Sequence, residues 1–220
     1  MDMKNVGGIW LPASEEHLVE WMTTVNKRVN GKLTYQYHKL EQCMMRLDSK
    51  HRRVAVDVGA HVGLWTMHLA PLFGHVHAFE PNHDLRGCFE LNVPHQNVTR
   101  YEMALGPQPG KVSLRNFAGN SGHTMNTGVT PDGTIPMATL DSMALPVCDF
   151  IKIDVEGFEP GVIEGATETI LRCHPVIMVE CKGFENHHGY TVGQAWVMLK
   201  ALGMVQVLDL GGDKLMVWKK

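Results

Sequence analysis

None of the five cysteines in this 220-residue chain, Cys43, Cys88, Cys148, Cys173 and Cys181, forms a Cys-x-x-Cys pair. Their odd number and wide spacing exclude a disulfide framework and a thiolate zinc site, and leave buried reduced thiols. No apolar run approaches the ~20 residues of a membrane span. The first residues, MDMKNVGGIW, lack the apolar stretch of a signal peptide, so the expected address is the cytoplasm and no membrane partner is expected. Charge of one sign is not in excess: 20 Lys and Arg against 23 Asp and Glu leave a net −3, without the global basic field of a nucleic-acid binder. Repeats and low-complexity segments are absent. A hydrophobic fraction of 44% and a charged fraction of 20% exclude a disordered or collagen-like chain. What remains is a globular protein with a full core and about one domain.

Residues 1–52 read as a helical N-terminal extension, a substrate lid or packing element on a domain spanning 53–220. Ser14 can cap a helix running to about Arg28, with Leu18, Val19, Met22 and Val25 on one side and Asn30-Gly31 ending it. A second helix is predicted over about 35–47 from the spacing of Leu40, Met44 and Leu47. From Arg53 onward short apolar runs alternate with helical stretches. The runs are 54–58, 75–80, 98–105, 149–155 and 175–181, and the helices between them are 63–72, 83–92 and 160–172. This alternation implies right-handed crossovers and a mostly parallel α/β sheet with helices on both faces. The C-terminal segments 204–210 and 214–220, joined by Gly211-Gly212-Asp213, read as an antiparallel hairpin. Segments 112–117 and 134–140 suggest a β-excursion around a Gly-, Ser- and Asn-rich stretch, 118–133.

The most informative segment is VAVDVGAHVGLWTMHLA, residues 54–70. A strand runs into Asp57-Val58-Gly59-Ala60-His61-Val62-Gly63 and a helix follows. Glycines at such a turn let a ligand approach the backbone, and the helix start offers free N–H groups. Glu80 closes the second strand 21 residues beyond Gly59, where an acid commonly binds two ribose hydroxyls. A cofactor containing a nucleoside follows. A dinucleotide would want Gly at position 61, which is His, and its pyrophosphate would be repelled by Asp57. A sulfonium and an α-ammonium would be attracted. These residues therefore favour S-adenosylmethionine over NAD, and a plain βα turn is the alternative without a ligand. A parallel sheet with a reversed last strand is also the Rossmann-like layout of class I methyltransferases.

The segments DVGAHVGLWT (57–66), AFEPN (78–82), ALG (104–106), ATLDSM (138–143) and IKIDVEGFEPGVIEGA (151–166), in that order, resemble the FkbM-type methyltransferases. The resemblance covers about residues 53–185. It implies an S-adenosylmethionine-dependent enzyme with a seven-stranded Rossmann-like sheet, an O-methyltransferase of sugars or other small hydroxylated molecules. By this match Asp57, Gly59, Ala60, His61 and Gly63 form the cofactor loop, and Glu80, with Pro81 and Asn82 after it, is the ribose-binding acid. Glu102, Met103 and Ala104 lie where such folds contact adenine. Asp154 and Glu156 sit at the cofactor's reactive end. His61 departs from the family, which usually has Asn there.

Asp57, Glu80, Asp154 and Glu180 all fall at strand ends, where an open α/β sheet binds its ligand. Lys152, Asp154 and Glu156 alternate along IKIDVE and share one side, with a structural ion pair as the plain alternative. Asp154 is the first candidate for a base or substrate-orienting group, followed by Glu180 and Lys182. A divalent metal shared by Asp154 and Glu180 would assist a weakly acidic sugar hydroxyl, but no ligand spacing calls for one and none is expected. His123, in GNSGHTMN, reads as a loop residue able to close over a substrate. The His187-His188 pair and His61 are weaker candidates. Trp10, Trp21, Tyr35 and Tyr37 read first as packing aromatics and second as a stacking surface for a sugar. A ribose or RNA 2′-O-methyltransferase would need a Lys-Asp-Lys-Glu set, with Asp154 and Lys182 in the middle and Lys39 and Glu185 as outer members. The third alternative is a non-catalytic module that binds S-adenosylmethionine.

Overall fold

The structure is a computed structural model that describes residues 2–117, 120–129 and 132–219; the side chains of 115–131 lie outside the described set. Residues 1–52 hold two short hairpins as well as two helices. β1 (Met3–Val6) and β2 (Ile9–Pro12) pair antiparallel about Gly7-Gly8. α1 (His17–Val25) follows, then β3 (Arg28–Val29) and β4 (Lys32–Leu33), then α2 (Tyr37–Met44). Two expectations are corrected here. The Ser14 hydroxyl does not cap α1; the Glu15 carboxylate does so, accepting from the Leu18 N–H at 2.8 Å. The helix stops at Asn26, which is left-handed at φ 47°, and not at Asn30-Gly31. Asn30 and Gly31, at φ 50° and 79°, instead make the two-residue turn between β3 and β4. Asparagine tolerates the left-handed region at either place, so residue type alone does not separate a helix stop from a hairpin turn.

The main sheet begins with β5 (Val54–Val58). Of the helix predicted over 63–72 only α3 (Thr66–Leu69) is regular. β6 (His75–Phe79), α4 (Arg86–Asn92) and β7 (Val98–Tyr101) follow. The run predicted over 98–105 divides at Glu102-Met103, because β8 (Ala104–Leu105) leaves the main sheet to pair with β11 (Ile135–Ala138). β9 (Gly110–Phe117) and β10 (Asn120–Val129) complete a second sheet in the order β10-β9-β11-β8. The stretch read as an irregular loop thus carries a strand, and His123 lies on β10. β12 (Phe150–Ile153) returns to the main sheet. The helix predicted over 160–172 breaks into α5 (Glu159–Glu164) and α6 (Thr167–Cys173). The break holds Gly165, where a Cβ would lie 2.0 Å from the Gly106 carbonyl oxygen. β13 (Val176–Glu180), α7 (Gln194–Ala201), β14 (Met204–Asp209) and β15 (Asp213–Trp218) finish the chain.

The seven-stranded order is β14-β15-β13-β12-β5-β6-β7. β13 through β7 run parallel, and β14 and β15 form the expected antiparallel hairpin on β13. Both faces are covered. On one, Val56, Val58, Ile151, Ile153, Ile177 and Val179 pack with Val162, Ile163, Ile170 and Leu199 of the following helices. On the other, Ala55, Phe150 and Met178 meet Leu40 and Cys43 of α2 together with Trp65 and Leu69. Ile9, Leu11, Leu18, Met22 and Leu33 join Val62, Leu85 and Phe89 in a further cluster. The extension thus seals core surface of the sheet. All five cysteines are free thiols; Cys43, Cys88 and Cys148 are buried as expected, and Cys173 and Cys181 are only half-buried. Among the described residues no helix is long and apolar enough to cross a membrane.

Candidate active site

The carboxyl ends of β13, β12, β5 and β6 lie side by side because these strands are adjacent and parallel, and the glycine turn after β5 packs against the end of β12. Gly59 has φ +79°, and a Cβ on it would stand 1.8 Å from the Asp154 carbonyl oxygen. Only glycine fits there, and its bare backbone brings the β5 turn against the end of β12. His61 follows at φ 52°. Histidine, like asparagine, is among the residue types enriched in that region. The His61 N–H donates to Glu80 Oε2 and the Asn82 N–H to Glu80 Oε1, each at 2.8 Å. Burial pushes the Glu80 carboxyl upward, against these two N–H groups and Arg100.

Asp57 lies deeper than the sequence suggests. It is fully buried, accepts the Thr66 hydroxyl at 2.6 Å and stands 3.5 Å from Lys152 Nζ. Lys152 is its direct neighbour across the parallel pair β5–β12. Asp57 therefore ties the start of α3 to Lys152 and does not line the cleft. Lys152 Nζ lies 3.3 Å from Asp154 and donates to the Gly59 carbonyl at 3.3 Å. Lys182 pairs with Glu180. Burial raises the Asp154 carboxyl, but Lys152 and Lys182 outweigh it and hold the group below the ordinary aspartate value. Glu180 goes the other way, to about 9, through burial and the Asp154 charge, with Lys182 opposing. Glu156, left-handed at φ 55°, is raised to about 7 by burial and then by Asp154. Asp154, Glu156 and Glu180 each offer an oxygen within 4.8 Å of the others, so together they can hold a cation in competition with Lys152 and Lys182.

A cleft of about 1030 Å³, counting space open to solvent, runs over these strand ends. Of the residues singled out in the sequence, Gly59, Ala60, His61, Glu80 and Pro81 line one part of it, and Met103, Ala104, Asp154, Glu156 and Lys182 line another. Gly63, Asn82 and Glu180 stand behind the wall. Gly63 faces Phe89 and Val93, Asn82 holds Glu80, and Glu180 is 3% exposed beneath Lys182. Glu102 is not in the cleft: it pairs with Arg100 and opens to a separate groove beside Arg86. The His123 side chain lies outside the described residues. His188 packs edge-on against Phe158 at 5.3 Å, behind the cleft wall. Lys39 and Glu185 do not line the cleft: Lys39 pairs with Asp213 at 2.6 Å, and Glu185 accepts the Gly193 N–H at 2.9 Å. Further lining residues are Leu64, Trp65 and Phe158, which lie within the quoted motifs without being singled out there, and Leu18 and Leu114, which lie outside them. Among the four aromatics of the extension, Tyr35 lines the cleft, Trp21 supports it at 4.8 Å, and Tyr37 turns to His68 at 4.9 Å.

The Methyltransferase FkbM domain matches residues 57–205 of this sequence. The chain belongs to the FkbM methyltransferase family. Membership makes this a methyltransferase domain and implies S-adenosylmethionine as its methyl donor. Solved structures agree on the fold. The chain is similar to the methyltransferase FkbM from Methylobacillus flagellatus KT at 16% identity and a TM-score of 0.50, covering 77% of this chain and 44% of that one. It thus spans less than half the length of that relative. It is also similar to the O-methyltransferase from Bacillus cereus in complex with SAH, at 14% identity and a TM-score of 0.51, covering 92% of this chain and 89% of that one. No curated protein matches this sequence.

Proposed function

We propose that this FkbM methyltransferase transfers a methyl group from S-adenosylmethionine to a hydroxyl of a small molecule, a sugar or glycoside. One observation carries the reading: Asp154, held ionised between two lysines, opens into the cleft beside the glycine turn and Glu80. The residues fit the cofactor. The Glu80 carboxylate faces the cleft with each oxygen fixed by one backbone N–H and lone pairs left for ribose hydroxyls. The turn at Gly59 leaves the backbone bare for close approach. The acidic group of Asp154 and Glu156 suits a cation. When bound, the cofactor supplies an electrophilic methyl on a sulfonium. The chain's task is to hold the acceptor oxygen in line at ~3 Å and to take its proton. Asp154 would accept that proton as the acceptor oxygen takes the methyl group and the sulfur–methyl bond breaks, its electron pair staying on sulfur as a thioether. Lys182 draws charge on the oxygen, and Lys152 keeps Asp154 ionised between turnovers.

A ribose 2′-hydroxyl is the second reading. On this reading the outer members of the Lys-Asp-Lys-Glu set would be Lys152, which stands 3.3 Å from Asp154, and Glu180, which pairs with Lys182, and not Lys39 and Glu185. A cytoplasmic setting goes with either reading and with five free thiols.

Titration calorimetry with S-adenosylmethionine and S-adenosylhomocysteine, followed by methyl transfer from labelled donor to methyl glycosides, nucleosides and short RNA, tests both. Asp154→Asn is expected to cut turnover by roughly 100-fold or more, within the 10²–10⁴ range of acid–base groups, with cofactor affinity nearly kept. Absence of binding to either ligand sinks the cofactor reading, and full turnover by Asp154→Asn sinks the base assignment.

A further inference from the structure

Tyr35 lies outside residues 57–205, the span of the methyltransferase domain, yet its side chain lines the same cleft as Asp154 and Lys182. The chain leaves β4 at Leu33 and bends at Gln36, which is left-handed at φ 51°, before entering α2. Trp21 meets the Tyr35 ring edge-on at 4.8 Å and 65°. Gln36 Nε2 donates to the Tyr35 hydroxyl at 3.0 Å, and Gln36 Oε1 accepts from Trp65 Nε1 at 3.4 Å. Trp65 belongs to the methyltransferase domain and lies 5.8 Å below Lys152 Nζ, measured to its ring. The phenol is thus braced from both the extension and the domain. The Gln36 bond occupies one lone pair of the phenol oxygen and leaves the other to accept, from an acceptor hydroxyl or a ligand ammonium, and the phenolic proton to donate. Tyr35 shares the cleft wall with Lys152, Asp154 and Lys182, and its phenol is raised first by burial and then by the Asp154 charge. A residue braced only for packing needs neither a hydroxyl nor a place among these groups.

We infer that Tyr35 is a substrate-binding residue whose hydroxyl faces the point of methyl transfer and hydrogen-bonds the hydroxylated acceptor there. This rests on the proposed function. It adds that the extension, and not only the methyltransferase domain, supplies the acceptor subsite, with Leu18 of α1 as its apolar neighbour in the cleft wall.

Sinefungin and S-adenosylhomocysteine test it without an acceptor. Sinefungin carries an amine where the transferable methyl would stand; S-adenosylhomocysteine carries nothing there. Calorimetry on Tyr35→Phe is expected to show S-adenosylhomocysteine affinity within about 2-fold of wild type and sinefungin weakened about 3- to 10-fold, the loss of one hydrogen bond. Gln36→Leu, which releases the phenol, should show a smaller loss of the same kind, and Tyr37→Phe none. Equal weakening of both ligands by Tyr35→Phe assigns the phenol to packing or cofactor contact and overturns the proposal. An unchanged ratio of the two affinities also overturns it. If wild type binds neither ligand, the cofactor reading itself has failed and the proposal goes with it.

Discussion

At the scale of single residues, function here depends on how closely backbone approaches backbone. Gly59 is the sharpest case. Its φ of +79° and the 1.8 Å that a Cβ would leave to the Asp154 carbonyl oxygen make any side chain both strained and clashing. The left-handed conformation alone costs about 1–2 kcal/mol for an L-residue. Gly59→Ala should therefore lower the melting temperature and weaken cofactor binding together, because relieving the clash pushes the glycine turn away from β12. A variant that melts like wild type and binds S-adenosylhomocysteine normally would show that the two segments are not in contact. Glu180 and Glu156 set a second expectation. Both carboxyls are raised in the folded chain, to about 9 and about 7, and keep protons that the unfolded chain releases near the ordinary glutamate value. The folded state then binds more protons from that value up to about 9, so stability falls as pH rises through this window. Above the range where the lowered His68, His77 and His188 oppose it, in metal-free buffer, the melting temperature should drop between pH 7 and 9, and Glu180→Gln should flatten the decline. A melting temperature that rises over that range counts against the burial of Glu180.

Elements are joined by charge pairs as well as by apolar packing. Lys39 on α2 meets Asp213 at the start of β15 at 2.6 Å, with side chains 8% and 3% exposed. Removing one partner of such a buried pair leaves an uncompensated charge and costs roughly 3–5 kcal/mol. Lys39→Met is expected to destabilise by that order in denaturant titrations, and Lys39→Met with Asp213→Leu to recover much of it. Failure of the double variant to recover would mean that the pair carries more than its own charge balance. Nothing in sequence spacing joins two residues so far apart in the chain. Their partnership follows from α2 lying across the face of the sheet that holds Leu215. The elements themselves were far more legible: the apolar runs at 54–58, 75–80, 149–155 and 175–181 all became sheet strands. The run 98–105 misled because it continues without a turn residue while its two halves, Val98–Tyr101 and Ala104–Leu105, pair in different sheets.

For the whole molecule, the division between extension and domain is one of sequence more than of packing. Ile9, Leu11, Leu18, Met22 and Leu33 fill a cluster with Val62, Leu85 and Phe89, and α2 closes another over Trp65 and Leu69. Residues 53–220 alone would expose both surfaces to water, at about 25 cal/mol per Å² of apolar area. That fragment is expected to show no cooperative thermal transition and to bind a hydrophobic dye. A sharp transition in it would make the extension an appendage after all.

The sequence by itself determined the α/β alternation, the reversed C-terminal hairpin, the glycine turn, Glu80, and Asp154 with Lys152 beside it. Each of these is written in local periodicity or in a short motif whose residue types answer one physical need: a bare backbone, an acid at a strand end, a charge that must be paired. Only the tertiary structure decided that Asp57 is a buried strut, that Glu102 lies outside the cleft, that Lys39 and Glu185 stand away from Asp154, and that Tyr35 reaches the cleft from residues 1–52. Those outcomes depend on which strands become neighbours and which face each helix covers. Such long-range choices are fixed by summed packing across the sheet, and no short stretch of sequence records them.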